Sequence, residues 1–271
     1  MAETGSEEMW RNMLTGSDPD LARMNRLMKR LPSGPRCKLC SAPFGTPGRY
    51  FVAPFGFGRW AANPALCRIC ARGLDRARGG AEVDATFLFA DIRGSTGIAE
   101  RTSPGEFHSL LERFYTTAGR AIDEAGGLVD KYLGDGVVAL FVPGFAGSPR
   151  PAAAAIEAGR AILAATGHGG ETPWLPVGVG VHAGPAFVGV MGIEDGQLDF
   201  TGVGDTVNTA ARLGSVAAAG ELLVSAAAIE RAGVESTGLE ARRLELKGRE
   251  EPVDVFVFGA PEAPPAEIAK P

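Results

Sequence analysis

No stretch of this sequence approaches the ~18 consecutive apolar residues that a membrane-crossing helix requires. The first eight residues include Glu3, Glu7 and Glu8 and lack the basic-then-apolar order of a secretory leader. A cytoplasmic protein without a membrane span is the expectation. Aromatic residues are few, 7% of 271, and the three histidines (His108, His168 and His182) have spacings that suggest neither a metal site nor a triad. His182, inside an apolar strand pattern, reads as a packing residue. GxxxxGK[ST], HExxH, GxSxG and GxGxxG are all absent, so any phosphate bound here is bound without those devices.

What is present is a chain 45% hydrophobic and 22% charged, ordinary for a globular protein able to bury a core. Its net charge of −5 hides an asymmetry. Residues 1–80 hold 13 Lys/Arg against 6 Asp/Glu, while residues 81–271 hold 14 against 26. An acidic body does not advertise a nucleic-acid groove, and no nucleic-acid partner is expected.

Composition divides the chain into a leader (1–36), a cysteine-bearing region (37–80), a long body (81–259) and a Pro-rich tail (260–271) expected to be disordered. The leader reads as two helices broken at Gly16-Ser17-Asp18-Pro19, with Ser17 or Asp18 as the second cap. Leu21, Met24, Met28 and Leu31 form a packing or dimerising stripe. In the body, Val83–Ile92 is a buried central strand and Pro104–Glu124 an amphipathic helix. Leu128–Tyr132 and Val137–Val142 flank a hairpin turn at Gly134-Asp135-Gly136. Val177–Val181 and Ala186–Val190 read as another strand pair around Gly184-Pro185. Strands alternating with helices on a hairpin-rich sheet make an α+β domain.

The cysteines form two knuckles, Cys37-x2-Cys40 and Cys67-x2-Cys70, separated by 26 residues. Two such pairs suit one tetrahedral structural zinc per chain, with no open position for chemistry. An iron–sulfur cluster and disulfides stand as alternatives.

Three stretches carry candidate chemistry. In Phe89-Ala90-Asp91-Ile92-Arg93-Gly94-Ser95-Thr96 a carboxylate ends a buried strand, and a glycine-containing loop then offers backbone N–H groups to phosphates. In Asp130-Lys131-Tyr132-Leu133-Gly134-Asp135-Gly136 a second aspartate sits in a tight turn. Two strand-end aspartates can hold Mg²⁺ together with phosphate oxygens. In Gly204-Asp205-Thr206-Val207-Asn208-Thr209-Ala210-Ala211-Arg212, Asn208 and Arg212 lie four apart on one helix face, where they would act as electrostatic stabilisers.

In this order, the three stretches resemble the catalytic domain of class III nucleotide cyclases, the adenylate and guanylate cyclases. The resemblance covers about Glu82–Phe258, including Gly178–Gly184 and Leu246-Lys247-Gly248. It implies a ferredoxin-like α+β sandwich, active as a homodimer with shared sites. It also implies that Asp91, Asp135 and the backbone carbonyl of Ile92 bind two Mg²⁺ or Mn²⁺ ions, with Gly94, Ser95 and Thr96 beside the phosphates. Lys131 and Thr201 would read the purine, Asn208 orient the ribose, Arg212 stabilise the α-phosphate, and Lys247 hold the terminal phosphates. Many relatives have Asp where this chain has Thr201. A Thr hydroxyl can still accept from the adenine amino group, so the implied substrate is ATP. Guanylate or mixed-purine cyclase and a non-catalytic nucleotide-binding module are the alternatives.

Overall fold

The structure, a computed structural model, describes residues 2–61, 63–145, 150–170, 172–192, 198–249 and 251–259. The expected tail at 260–271 lies outside the described residues. The leader forms α1 (Ala2–Thr15) and α2 (Pro19–Met28), the latter capped by Asp18, whose side chain accepts from the Leu21 N–H at 2.8 Å. The cysteine region adds short α3 (Gly48–Val52), a 3₁₀ turn at Ala53–Phe55 and α4 (Arg68–Ala77).

The body then runs β1 (Gly79–Ile92), α5 (Ser95–Arg101), α6 (Pro104–Glu124), β2 (Leu128–Leu133), β3 (Gly136–Phe141) and α7 (Pro151–Ala165). It continues with β4 (Val177–Gly192), β5 (Leu198–Val203), α8 (Asp205–Val216), β6 (Leu222–Ser225), α9 (Ala226–Ala232), β7 (Glu240–Leu244) and β8 (Val253–Phe258). The strands make one sheet in the order β2-β3-β1-β4-β6-β8-β7, with β5 added to β4. The pairings are antiparallel except β4 with β6. This is the α+β architecture expected from the sequence.

The central strand is buried on both faces, and alternation along it sorts the two cores. Leu88, Ala90 and Ile92 point into a core closed by α6, α7 and α9. Val83, Ala85 and Phe87 point the other way, into a core shared with Trp10, Leu14, Met28, Leu39, Phe44 and Leu74 of the leader and cysteine region. Trp10 is fully buried and stacks on Phe200 of β5, ring centroids 6.1 Å apart. Truncating a buried aromatic of this kind typically costs about 3–5 kcal/mol. The packing stripe of α2 therefore has its partner within the chain. Gly79 and Gly80, where charge and composition change, are the first residues of β1 and pair with Val190 and Gly189.

Helix α6 begins with a capping box in which Ser103 and Glu106 satisfy each other's backbone N–H, followed by Pro104 in the first turn. The expected strand break at Gly184-Pro185 does not occur. Strand β4 is continuous and pairs with β1 through Gly184 and Pro185. Between its β6 partner (179–181) and its β5 partner (187–192) it has a neighbour on one side only, so a missing N–H can be accommodated there. Strand β7 ends at Leu244, and Leu246 is a buried residue beyond it. Gly180 explains how α8 lies on the sheet: a Cβ there would come within 2.1 Å of the Gly214 nitrogen.

Candidate active site

Asp91 pairs across β1–β3 with Gly136, which places the turn residue Asp135 beside it. The Ile92 N–H donates to the Asp135 carbonyl at 3.1 Å and locks the two segments together. Burial pushes the Asp91 carboxyl above the ordinary carboxylate range; Arg93 opposes the shift and the neighbouring Asp135 adds to it. Arg93 binds the Asp91 carboxylate and donates to the Ser215 carbonyl at the end of α8 at 2.6 Å. The Ser95 hydroxyl donates to the Asp135 carboxylate. Gly94, at φ +68°, makes the left-handed bend that starts α5, with Ser95 and Thr96 as its first residues. Two facing carboxylates form an oxygen donor pair whose negative charge exceeds the positive charge of the neighbouring Arg93. That chemistry fits Mg²⁺ or Mn²⁺.

A second group forms between β2 and β5. Thr201 of β5, 7% exposed, donates its hydroxyl proton to Asp130 Oδ2 at 2.6 Å. Lys131 Nζ lies 3.6 Å from Asp130 Oδ1. Burial raises the Asp130 carboxyl, against the opposing pull of the Thr201 hydrogen bond and the Lys131 charge.

The third group is on α8. Asn208 is exposed and Arg212 half-buried on the same face, one turn apart. The loop carrying exposed Lys247 reaches this face, because Arg212 lies against Gly248. Arg249 ties loop to helix through Asp205 at 2.6 Å and through the Thr209 hydroxyl. Among the described residues no hydrogen bond or ion pair joins the Asp91–Asp135 pair to Lys131, Thr201, Asn208 or Arg212.

Arg93, Asp130 and Arg249 were missed in the sequence. Asp130 had a visible signal, a carboxylate directly before Lys131. Arg249 had none, since Asp205 and Thr209 are distant in the chain, and for Arg93 the neighbouring Asp91 gave no hint of its second partner, Ser215. His182 hydrogen-bonds the Ser225 hydroxyl at 2.7 Å, and burial lowers its pKa to about 4.

The four cysteines converge as a separate cluster. Their Sγ atoms all lie within 4.8 Å of one another, none is in a disulfide, and Cys40 and Cys67 are 3.6 Å apart. Tetrahedral zinc with ~2.3 Å bonds requires sulfurs about 3.8 Å apart, so the cluster fits that ion. Backbone N–H groups of Cys67 and Cys70 point at the sulfurs of Cys37 and Cys67, at 3.3 and 3.4 Å. The Cys37 thiol is pulled down by hydrogen bonds from Cys40 first, then Cys67 and Cys70.

The α+β sheet is that of nucleotide cyclase catalytic domains. The profile described as the adenylate and guanylate cyclase catalytic domain matches residues 81–259, and the chain belongs to that family. It is similar to an adenylate cyclase of Anabaena cylindrica, 35% identical over 166 residues, covering 58% of this chain and 32% of that one. An uncharacterised protein of Mycobacterium tuberculosis is 32% identical over 197 residues, covering 69% and 35%. The chain spans about a third of the length of these curated relatives. Among solved structures, the guanylyl cyclase Cya2 has a TM-score of 0.58 at 28% identity, covering 70% of this chain and 98% of that one. The adenylyl cyclase CyaB from P. aeruginosa has a TM-score of 0.55 at 28%, covering 65% and 93%. A guanylyl and an adenylyl cyclase are equally similar in identity, so identity does not select the base.

Proposed function

We propose that this chain is an adenylate cyclase, converting ATP to 3′,5′-cyclic AMP and pyrophosphate. The observation that carries the choice of ATP is the Lys131–Thr201 pair. Lysine is donor-only and suits the adenine N1 acceptor, whereas guanine N1 carries a hydrogen and would set two donors against each other. The Thr201 hydroxyl, its proton engaged by Asp130, is left to accept from the adenine amino group.

Asp91, Asp135 and the Ile92 carbonyl would hold two Mg²⁺ or Mn²⁺ ions. When bound, these ions supply charge neutralisation on the phosphates and acidity to the ribose 3′-hydroxyl. Asn208 orients the ribose, and Arg212 stabilises the charge that builds on the α-phosphate. Lys247 and the N–H groups at Gly94, Ser95 and Thr96 hold the outer phosphates. The bond from the 3′-oxygen to the α-phosphorus forms as the bond to the β-phosphate oxygen breaks, and pyrophosphate leaves. The 3′-hydroxyl proton goes to solvent, because no side chain of the set is placed as a general base.

The active assembly is a homodimer. Asp91 and Asp135 of one protomer work with Lys131, Thr201, Asn208 and Arg212 of its partner. Among the described residues no hydrogen bond or ion pair joins the two sets directly within one chain, which is compatible with that arrangement. Residues 81–259 form the catalytic unit, and the cysteine region carries one structural zinc. Product chromatography after incubation with ATP and with GTP tests the assignment.

A further inference from the structure

Asp130 is the extra residue of a β-bulge. Val129 faces Ala139 and Lys131 faces Val138, so adjacent positions on β3 are matched by three residues of β2. Such a bulge re-aims a side chain. Here it drives the Asp130 carboxylate, 2% exposed, between Thr201 and Lys131. Oδ2 takes the Thr201 proton, while Oδ1 has no hydrogen-bond partner and lies within ion-pair distance of Lys131. We infer that Asp130 is a positioning residue that sets the hydrogen-bond polarity of the purine-reading pair, fixing Thr201 as an acceptor beside the Lys131 donor. The inference rests on the assignment of Lys131 and Thr201 to the purine.

A threonine hydroxyl has one proton and two lone pairs, and it ordinarily turns to suit either kind of partner. Left free, Thr201 could donate to the 6-oxo group of guanine as readily as it accepts from the 6-amino group of adenine. An ionised carboxylate only accepts. While Asp130 holds the proton, Thr201 presents lone pairs alone to a substrate. Adenine, with a donor at position 6 and an acceptor at N1, complements both side chains. Guanine, with an acceptor at position 6 and a donor at N1, is opposed by both. Because the carboxylate is almost closed to solvent, water is poorly placed to release the hydroxyl.

Asp130→Asn tests this, because an amide can donate to Thr201 Oγ1 and free its proton to face the substrate. The expected result is an ATP:GTP preference in kcat/KM reduced by about 10-fold, carried mainly by KM for ATP. In a Thr201→Val background the same substitution should leave the preference unchanged, as the two residues act through one bond. A merely structural role would lower both substrates together and persist in the Val background. An unchanged preference overturns the inference.

If Asp130→Asn does not fold, the unaltered protein decides. Purine riboside triphosphate and its 6-methoxy derivative both keep the N1 acceptor, and the second adds an acceptor oxygen at position 6. A fixed Thr201 acceptor predicts that the 6-methoxy compound is used about 10-fold less well; equal use overturns the inference. A parent protein that makes no cyclic AMP removes the functional proposal and this inference together. An ATP-preferring parent whose Asp130→Asn variant keeps the preference removes this inference alone.

Discussion

Lys38 reaches out of the cysteine region to Asp123, the penultimate residue of α6. Its Nζ lies 2.9 Å from the Asp123 carboxylate and 2.7 Å from the same residue's backbone carbonyl. The lysine side chain is 6% exposed and the aspartate 41%. A cation at a helix C-terminus also meets the negative end of the helix dipole. Lys38 directly follows Cys37, so the contact fastens the first cysteine knuckle to the helix that leads into β2.

Lys38→Met should therefore destabilise the chain by about 1–2 kcal/mol, since water can reach the half-exposed Asp123 once the lysine is gone. Amide hydrogen exchange is expected to quicken across residues 37–80 and at the end of α6, with β3 unaffected. Unchanged exchange in the cysteine region would show that the contact does not hold it.

The purified chain should carry one zinc. Cys37→Ser or chelation should lower stability and expose residues 37–80 to protease, because metal binding energy at such a site is folding energy. The hydrophobic core that this region shares with β1 makes the loss felt in the sheet as well. Metal analysis that finds iron with visible absorbance, or no metal, contradicts the zinc assignment.

The two strand-end aspartates and the Asn208–Arg212 helix face were legible as candidates because short motifs carry them, while the part proposed for Lys131 came from the family resemblance. The buried character of β1 was legible too, since an apolar run without polar alternation needs cover on both faces. What covers its second face was not. Trp10 and Phe200 are far apart in sequence, and nothing local to either announces their stacking. The polarity of Thr201 was equally hidden, because it depends on a bulge that turns Asp130 toward another strand. Gly184-Pro185 misled as a turn signal because the ladder decides whether a proline's missing N–H matters.

His182 makes stability depend on acid. Its pKa is about 4 in the fold, lowered chiefly by burial, against about 6.5 for an unfolded histidine. The neutral ring is therefore favoured by folding, so its contribution is present above pH 6.5 and is lost as pH falls toward 4. Between pH 7.5 and 5 the loss is on the order of 2 kcal/mol. Urea midpoints at the two pH values should converge in His182→Gln relative to the parent. An identical acid dependence in the variant assigns the effect elsewhere.

Shared active sites predict complementation. Asp91→Ala and Arg212→Ala should each be nearly inactive. In their heterodimer one site collects both defects and the other collects neither. Random exchange of an equal mixture leaves about a quarter of all sites intact, as two-fold symmetry requires. Activity should recover to about that fraction of the parent. No recovery, with exchange confirmed by a mass-tagged subunit, means that each chain builds its own site.

The most direct measurement is the product formed from each nucleotide. The purified chain is incubated with Mn²⁺ or Mg²⁺ and either ATP or GTP, and cyclic nucleotide and pyrophosphate are quantified together. An adenylate cyclase gives equimolar cyclic AMP and pyrophosphate from ATP, little cyclic GMP, and no product from Asp91→Ala. Cyclic GMP as the main product, or nucleotide binding without turnover by the folded protein, would contradict that assignment.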